Sequence, residues 1–230
     1  MRKSKKVAPK KLRITQQILE EGRLYPLNEA IELVKSTSYS KFDGTVEAHF
    51  NLQIDVKAPE QNIRTTVSLP HGTGKAVKIA AFSSGSVNGA DLTLNEEDIA
   101  LIEQGKLKPG IDFEKVVAEP AFMPKLAKIA RILGPRGMMP NPKTGTVSEN
   151  LEKVVTELKK GKVEVRNETN APIIHTRIGK VSFENDALKE NFLEILKTLK
   201  ANKPQKVQPT WIKSCFLSAT MGPSIPVIIE

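Results

Sequence analysis

The sequence predicts a mixed α/β chain of two domains, one inserted into the other. Three observations carry this prediction. Alternating apolar and polar residues, the mark of a half-buried strand, lie near both ends of the chain. Between them, apolar runs alternate with helical patterns, as in a parallel α/β unit. Segments rich in glycine and proline stand near both joins, around 70–75 and 131–146. The expected division is a discontinuous domain of residues 1–69 and 148–230, interrupted by a domain of residues 70–147 on two linkers that permit a hinge.

Composition narrows the function classes. The 230 residues are 39% hydrophobic, enough for two cores. Lys and Arg number 35 against 26 Asp and Glu, a net charge of +9. That excess points to a polyanionic partner, nucleic acid before an anionic membrane surface. Cys215 is the only cysteine, so no intrachain disulfide forms, which suits a reducing cytoplasm. No apolar run reaches the roughly 20 residues of a membrane helix, and the start of the chain lacks the apolar core of a secretion signal. There is no internal repeat.

Residues 1–13 carry seven cations and no acid. Such a block is a solubilising tail or a segment that folds against RNA. After Pro26, Leu27, Ala30, Ile31 and Val34 recur at helical spacing, with Glu29 early and Lys35 late, as the helix dipole prefers. The turn Lys41-Phe42-Asp43-Gly44 leads into a strand over 45–55, where Val46, Ala48, Phe50, Leu52 and Ile54 alternate with polar residues. A second strand over 64–69 ends at Pro70.

The middle segment reads as a buried strand over 76–82, a helix over 96–103, a strand over 112–118 and a helix over 123–132. The stretch 131–146, with three glycines, three prolines, Arg131, Arg136 and Lys143, is irregular but fixed in shape. It serves as a hinge, as a basic loop whose N–H groups face phosphate, or as both. Beyond it come a helix over 149–160 and strands over 162–166, 173–178 and 181–183. Asp186 is the expected cap of a helix over 187–200. The strand over 211–220 turns Cys215, Leu217 and Ala219 inward and Ser214, Phe216, Ser218 and Thr220 outward. Met221-Gly222-Pro223 breaks it, and 225–229 adds an edge strand.

Catalytic and cofactor readings find no support. His71-Gly72-Thr73-Gly74-Lys75 lacks the spacing of a P-loop, and Ala76 stands where a hydroxyl is needed; it reads as a turn between domains. His49, His71 and His175 lie far apart in sequence and no Cys/His pair has ligand spacing, so neither a metal nor another cofactor is expected. Cys215 falls on an inward face, as a small core residue does. The chain reads as a non-enzyme. The polar strand faces say more: Thr45, Glu47 and His49 align on one, Ser214, Ser218 and Thr220 on another. Such faces are ordinary solvated strands or, when they converge, platforms for 2′-hydroxyls and base edges. Phe42 and Met221 beside them are core residues or apolar contacts to ribose or base.

These segments together resemble the bacterial-type ribosomal protein L-one family, the side-stalk protein of the large subunit. The resemblance spans essentially the whole chain. It rests on Lys41-Phe42-Asp43-Gly44-Thr45-Val46-Glu47, on residues 69–75 and 133–146, on Gly179-Lys180 and on Thr220-Met221-Gly222-Pro223, in that order. It implies a discontinuous split α/β sandwich domain and an inserted Rossmann-like three-layer α/β domain. It also implies a cytoplasmic, ribosome-bound protein that is a monomer when free. Its implied partners are the side-stalk region of large-subunit rRNA, exit-site tRNA whose release it assists, its own operon's mRNA whose translation it represses, and other ribosomal components. The alternative is a general RNA chaperone without a defined site.

Carried over by motif, the RNA surface comprises Lys41, Phe42, Thr45 and Glu47, then Arg166, Asn167, Glu168 and Thr169, then Ser214, Thr220, Met221 and Gly222. Arg136 and Lys143 are candidates for a second-domain contact. One departure stands out. Only Ser83 to Asn88 separates Phe82 from Gly89-Ala90-Asp91, too short for the crossover helix that the family usually has there and that a parallel pair normally requires. The strand order of the middle domain is therefore open.

Overall fold

The computed structural model describes residues 19–229 except 21, 205, 206 and 209, and it leaves the side chain of Lys143 undescribed. The basic block of residues 1–13 lies outside the described residues. In chain order the main elements are α1 (Leu27–Ser36), β1 (Thr45–Leu52), β2 (Arg64–Ser68), β3 (Ile79–Phe82), β4 (Leu92–Leu94), α2 (Glu96–Glu103), β5 (Lys115–Ala118), α3 (Leu151–Lys159), β6 (Lys162–Arg166), β7 (Ile173–Lys180), α4 (Asn185–Ala201), β8 (Ile212–Ala219) and β9 (Ser224–Val227). The chain divides into two compact units. One is formed by Met1–Ile63, Leu69–Gly74 and Val165–Glu230, the other by Arg64–Ser68 and Lys75–Glu164.

The first unit is built on a four-stranded sheet in the order β7-β1-β8-β9, antiparallel throughout. Period two decides its faces. Val46, Ala48, Phe50 and Leu52 of β1 are buried, as are Ile174 and Ile178 of β7 and Cys215, Leu217 and Ala219 of β8. Two helices complete the core. Ala30, Ile31 and Val34 of α1 and Leu188, Phe192, Ile195 and Leu199 of α4 lie on single stripes and are buried. Phe192 stacks on Phe50 with ring centroids 5.8 Å apart. One sheet face is thus covered by helices and the other is left polar, a two-layer sandwich. Pro226 is tolerated because β9 is an edge strand.

The second unit has a parallel three-stranded sheet in the order β4-β3-β5. All four residues of β3 are buried, because each face packs on helix. Ala80 and Phe82 meet Ile99 and Ile102 of α2 and the segment 120–133, whereas Ile79 and Ala81 meet Leu151, Val154, Val155 and Leu158 of α3. These three layers make it Rossmann-like. Strands β2 and β6 pair as a separate two-stranded ribbon.

The helix α3 corrects the expected boundary at residue 148. Its apolar stripe covers the second face of the middle sheet, so the middle unit runs on to Glu164 and also takes in β2. The strand Leu92–Leu94 was not foreseen, since three residues are too few to show a period. It pairs in parallel with β3 across a connection without helix. Asp91 closes that connection: its carboxylate accepts from the Ile79 N–H at 2.8 Å while its own N–H donates to the Ile79 carbonyl. The Ile79 N–H, followed by Lys159, holds the Asp91 carboxyl below its usual range.

Three smaller expectations also change. The helix expected over 123–132 is broken into short α and 3₁₀ turns, Met123–Leu126, Ala127–Ile129 and Ala130–Leu133. No strand forms over 181–183; β7 continues to Lys180 and a turn follows, with Phe183 N–H donating to the Lys180 carbonyl. Glu184, not Asp186, is the residue before α4, and Asp186 lies in its first turn, where a negative charge suits the dipole.

Candidate nucleic-acid interface

The uncovered face of the four-stranded sheet gathers most of the expected residues. In the register of the sheet, Glu47 lies between Arg177 and Ser218, His49 between His175 and Phe216, and Asn51 between Ile173 and Ser214. Each of these side chains is half-buried or exposed, in contrast to their buried sequence neighbours.

At one end of this face two distant turns meet. Thr220 N–H donates to the Thr45 carbonyl at 2.9 Å, and Thr45 N–H donates to Thr220 Oγ1 at 2.9 Å. The Thr220 hydroxyl donates back to the Thr45 carbonyl at 3.2 Å. The Thr220 side chain is therefore held by backbone and acts by shaping the turn. Gly222 N–H closes the same turn on the Ala219 carbonyl at 2.8 Å, and a Cβ on Gly222 would stand 3.2 Å from that oxygen.

The turn 41–44 is pinned just as firmly. Ser182 donates N–H and hydroxyl to the Asp43 carboxylate. Lys180 Nζ donates to the Asp43 carbonyl and to Thr45 Oγ1. A Cβ on Gly44 would lie 3.5 Å from Thr220 Cβ, so the two turns sit side by side. Both carry an apolar side chain in the open: Phe42 is 59% exposed and Met221 60%. Met221 also adopts φ 66°, a left-handed conformation that costs a non-glycine residue about 1 kcal/mol. Lys41 and Glu47 flank this pair of turns along the chain, the first exposed and the second half-buried.

The remaining expected residues separate. Ser214 shares the face but lies at its far end, six residues from Thr220 and hence roughly 20 Å along the strand. Its hydroxyl accepts from Asn51 Nδ2 at 2.8 Å. Glu168 joins the middle of the face, with its carboxylate 3.4 Å from His175 Nε2. Arg166 and Thr169 are exposed. The Asn167 side chain is turned to its own surroundings instead, accepting from Ile63 N–H at 2.8 Å and donating to the Glu168 carbonyl. Arg136 is exposed but belongs to the other unit, and the side chain of Lys143 is not among those described.

Sequence reasoning did not place His175, Arg177 or Asn51 in this site, and it named Ser218 only as part of a polar strand face and Lys180 only within a family motif. The alternation of β7, with Ile174, Thr176 and Ile178 buried and His175 and Arg177 exposed, was the available signal, but it does not say which strand lies alongside. The pairing brings His49 and His175 into contact, Nδ1 to Nδ1 at 2.6 Å, with ring centroids 4.8 Å apart. His49 Nε2 is 2.9 Å from Ser218 Oγ. Burial first, then His175, holds the His49 imidazole below its ordinary value, against the opposing charge of Glu47. Burial pushes the Cys215 thiol up to about 12, so it has no nucleophilic role near neutral pH. Among the described residues no group of three or more His, Cys, Asp or Glu is arranged to hold a metal ion, and no described helix is long and apolar enough to cross a membrane.

Comparison with known proteins gives a consistent result. The model of the family described as Ribosomal protein L1p/L10e matches residues 34–223. The large ribosomal subunit protein uL1 of Chloroflexus aurantiacus is 46% identical over 217 residues, 91% of this chain and 90% of the relative. The protein of the same name from Prochlorococcus marinus strain MIT 9211 is 47% identical over 215 residues, with the same coverage of each.

Proposed function

The chain belongs to the ribosomal protein L1p/L10e family, and from that premise we propose that it binds the side-stalk region of large-subunit rRNA through the open face of its four-stranded sheet. As a family member it is a non-enzymatic constituent of the large ribosomal subunit in the cytoplasm. The observation that carries the site is the pairing of Thr45 with Thr220, which brings together the two turns that carry the exposed Phe42 and Met221.

Binding has two layers. Lys41, Arg166, Arg177 and the basic residues of 1–13 attract phosphate without regard to sequence. The two pinned turns then supply fit. Phe42 and Met221 offer apolar area to ribose or base, while Glu47, Glu168, Thr169 and Ser218 offer polar groups to 2′-hydroxyls and base edges. Because the turns are held by internal hydrogen bonds, little ordering cost remains at the moment of binding.

Release of deacylated tRNA from the exit site and repression of the protein's own operon extend this reading. A repressor would use the same face on an mRNA that presents the stalk structure, so rRNA and mRNA should compete. Arg136 and Lys143 are the proposed second-domain contacts. The test is footprinting of the full chain on large-subunit rRNA at physiological salt. Protection confined to one stalk junction, and resistant to an excess of bulk RNA, is the expected result. Diffuse protection abolished by bulk RNA would overturn the proposal.

A further inference from the structure

Three contacts run in a chain across the middle of the sheet face. Ser218 Oγ lies 2.9 Å from His49 Nε2, His49 Nδ1 lies 2.6 Å from His175 Nδ1, and His175 Nε2 lies 3.4 Å from Glu168 Oε1. The central contact accommodates one hydrogen and no more. A carboxylate only accepts, so Glu168 favours N–H on His175 Nε2. His175 Nδ1 is then the acceptor, His49 Nδ1 carries the shared hydrogen, and His49 Nε2 is bare, accepting from the Ser218 hydroxyl. These tautomers follow from the network. An added proton has one vacant nitrogen to occupy, His49 Nε2. There it donates to Ser218 Oγ, and the Ser218 hydrogen must turn away, towards whatever covers the face.

The charged neighbours decide when that proton arrives. Facing the pair are Glu47 of β1, Arg177 of β7 and Glu168 from the segment after β6, with the neutral Ser218 and Phe216 from β8. Two carboxylates and one guanidinium leave the immediate surroundings of the pair with an acidic bias. In the free protein, burial and then His175 hold the His49 imidazole below its ordinary value, against the opposing charge of Glu47. An RNA backbone laid over Glu47 and Glu168 adds negative potential, which favours the protonated imidazole.

We propose that the His49–His175 pair is a proton-linked subsite of the RNA face, which takes up one proton when RNA binds and turns the Ser218 hydroxyl outward as a donor to the ligand. The proposal rests on reading this face as the RNA site. A group whose pKa is higher in the complex than in the free protein binds a proton on association. Affinity therefore rises as pH falls through the window between the two values, by at most about tenfold per pH unit for one proton.

The experiment is calorimetry of the full chain with a transcript of the stalk region, in buffers of different ionisation enthalpy at about pH 6.5. The wild-type protein should take up a proton on binding, at most one per complex. H49Q should bind with little or no uptake, whereas H175Q, which keeps the His49 imidazole but loses the acceptor that fixes its tautomer, should change the amount taken up. The transcript's own protonation is common to all three and cancels. Binding without proton uptake by the wild type, or uptake unchanged in H49Q, would overturn the proposal. Failure of the wild type to bind the transcript at all would instead remove the reading on which it rests. Should H49Q fold poorly, the wild type suffices: the His49 resonance should titrate at higher pH in the complex than free, and an unshifted midpoint overturns the idea.

Discussion

Thr45 and Thr220, 175 residues apart in sequence, are joined through the backbone N–H of the first and the hydroxyl of the second at 2.9 Å. The Thr220 N–H donates in return to the Thr45 carbonyl at 2.9 Å, so backbone and side chain together tie the start of β1 to the turn after β8. Thr220→Ala leaves the half-buried Thr45 N–H without that acceptor, at a cost of about 1–3 kcal/mol. The variant should fold, unfold at lower urea and bind stalk rRNA more weakly, because Met221 loses its fixed position. Thr220→Ser keeps the oxygen and should restore both. A Thr220→Ala protein with unchanged urea midpoint and affinity would refute the coupling.

A second prediction concerns Gly179, where β7 passes beneath α4. A Cβ there would stand 2.7 Å from Leu188 Cδ2 and 2.8 Å from Phe183 Cδ2. Leu188 is fully buried, so it has nowhere to retreat. Gly179→Ala should lower stability by about 1–3 kcal/mol. Gly85→Ala, with nothing within 4 Å, is the control and should change the thermal midpoint little.

The inward and outward faces of β1 and β8 follow from period two, because each residue reports its own side of a pleated strand. Nothing local reports a neighbour. That β7 rather than another strand lies beside β1, and so that His175 meets His49, is a long-range matter of pairing and packing. The placement of α3 was missed for the same reason: its stripe of Leu151, Val154, Val155 and Leu158 announces a helix with one buried side, but not which sheet it covers. The turns 41–44 and 220–222 were legible because Gly44, Gly222 and Pro223 interrupt the strand patterns beside them. Their hydrogen-bonded union was not.

Thr176 is a buried residue of β7 whose hydroxyl has no hydrogen-bond partner among the described residues. A buried hydroxyl without a partner is destabilising, and valine has nearly the same shape. Thr176→Val should raise stability by about 1 kcal/mol and leave RNA affinity alone, since the side chain points away from the polar face. A lower melting temperature would show that the hydroxyl is satisfied after all.

Stability should also depend on pH through His49. Its ordinary value is 6.5, and in the folded protein it lies lower. Around and below that value the unfolded chain binds a proton that the folded chain refuses, so stability rises with pH there. The contribution is fully present above about pH 6.5 and is lost as pH falls towards the folded value. Melting temperatures from about pH 7.5 to about pH 5.5 should fall less steeply in H49Q than in the wild type. Equal slopes would count against a depressed imidazole.

Met221 sets backbone strain against binding. Its φ of 66° favours glycine, yet a bare glycine would offer RNA no apolar surface. Met221→Gly relieves the left-handed strain but adds freedom to the unfolded chain, so the net change should lie between zero and a gain of about 1 kcal/mol. Met221→Ala keeps the strain and should be the less stable of the two. Both lose the exposed thioether, and both should bind stalk rRNA about tenfold more weakly, the worth of one to two buried methylenes. Stability and affinity then move in opposite directions in the glycine variant, which separates this residue from one that merely holds the turn. Met221→Gly binding as tightly as the wild type would show that the turn's shape, and not its side chain, is what RNA recognises.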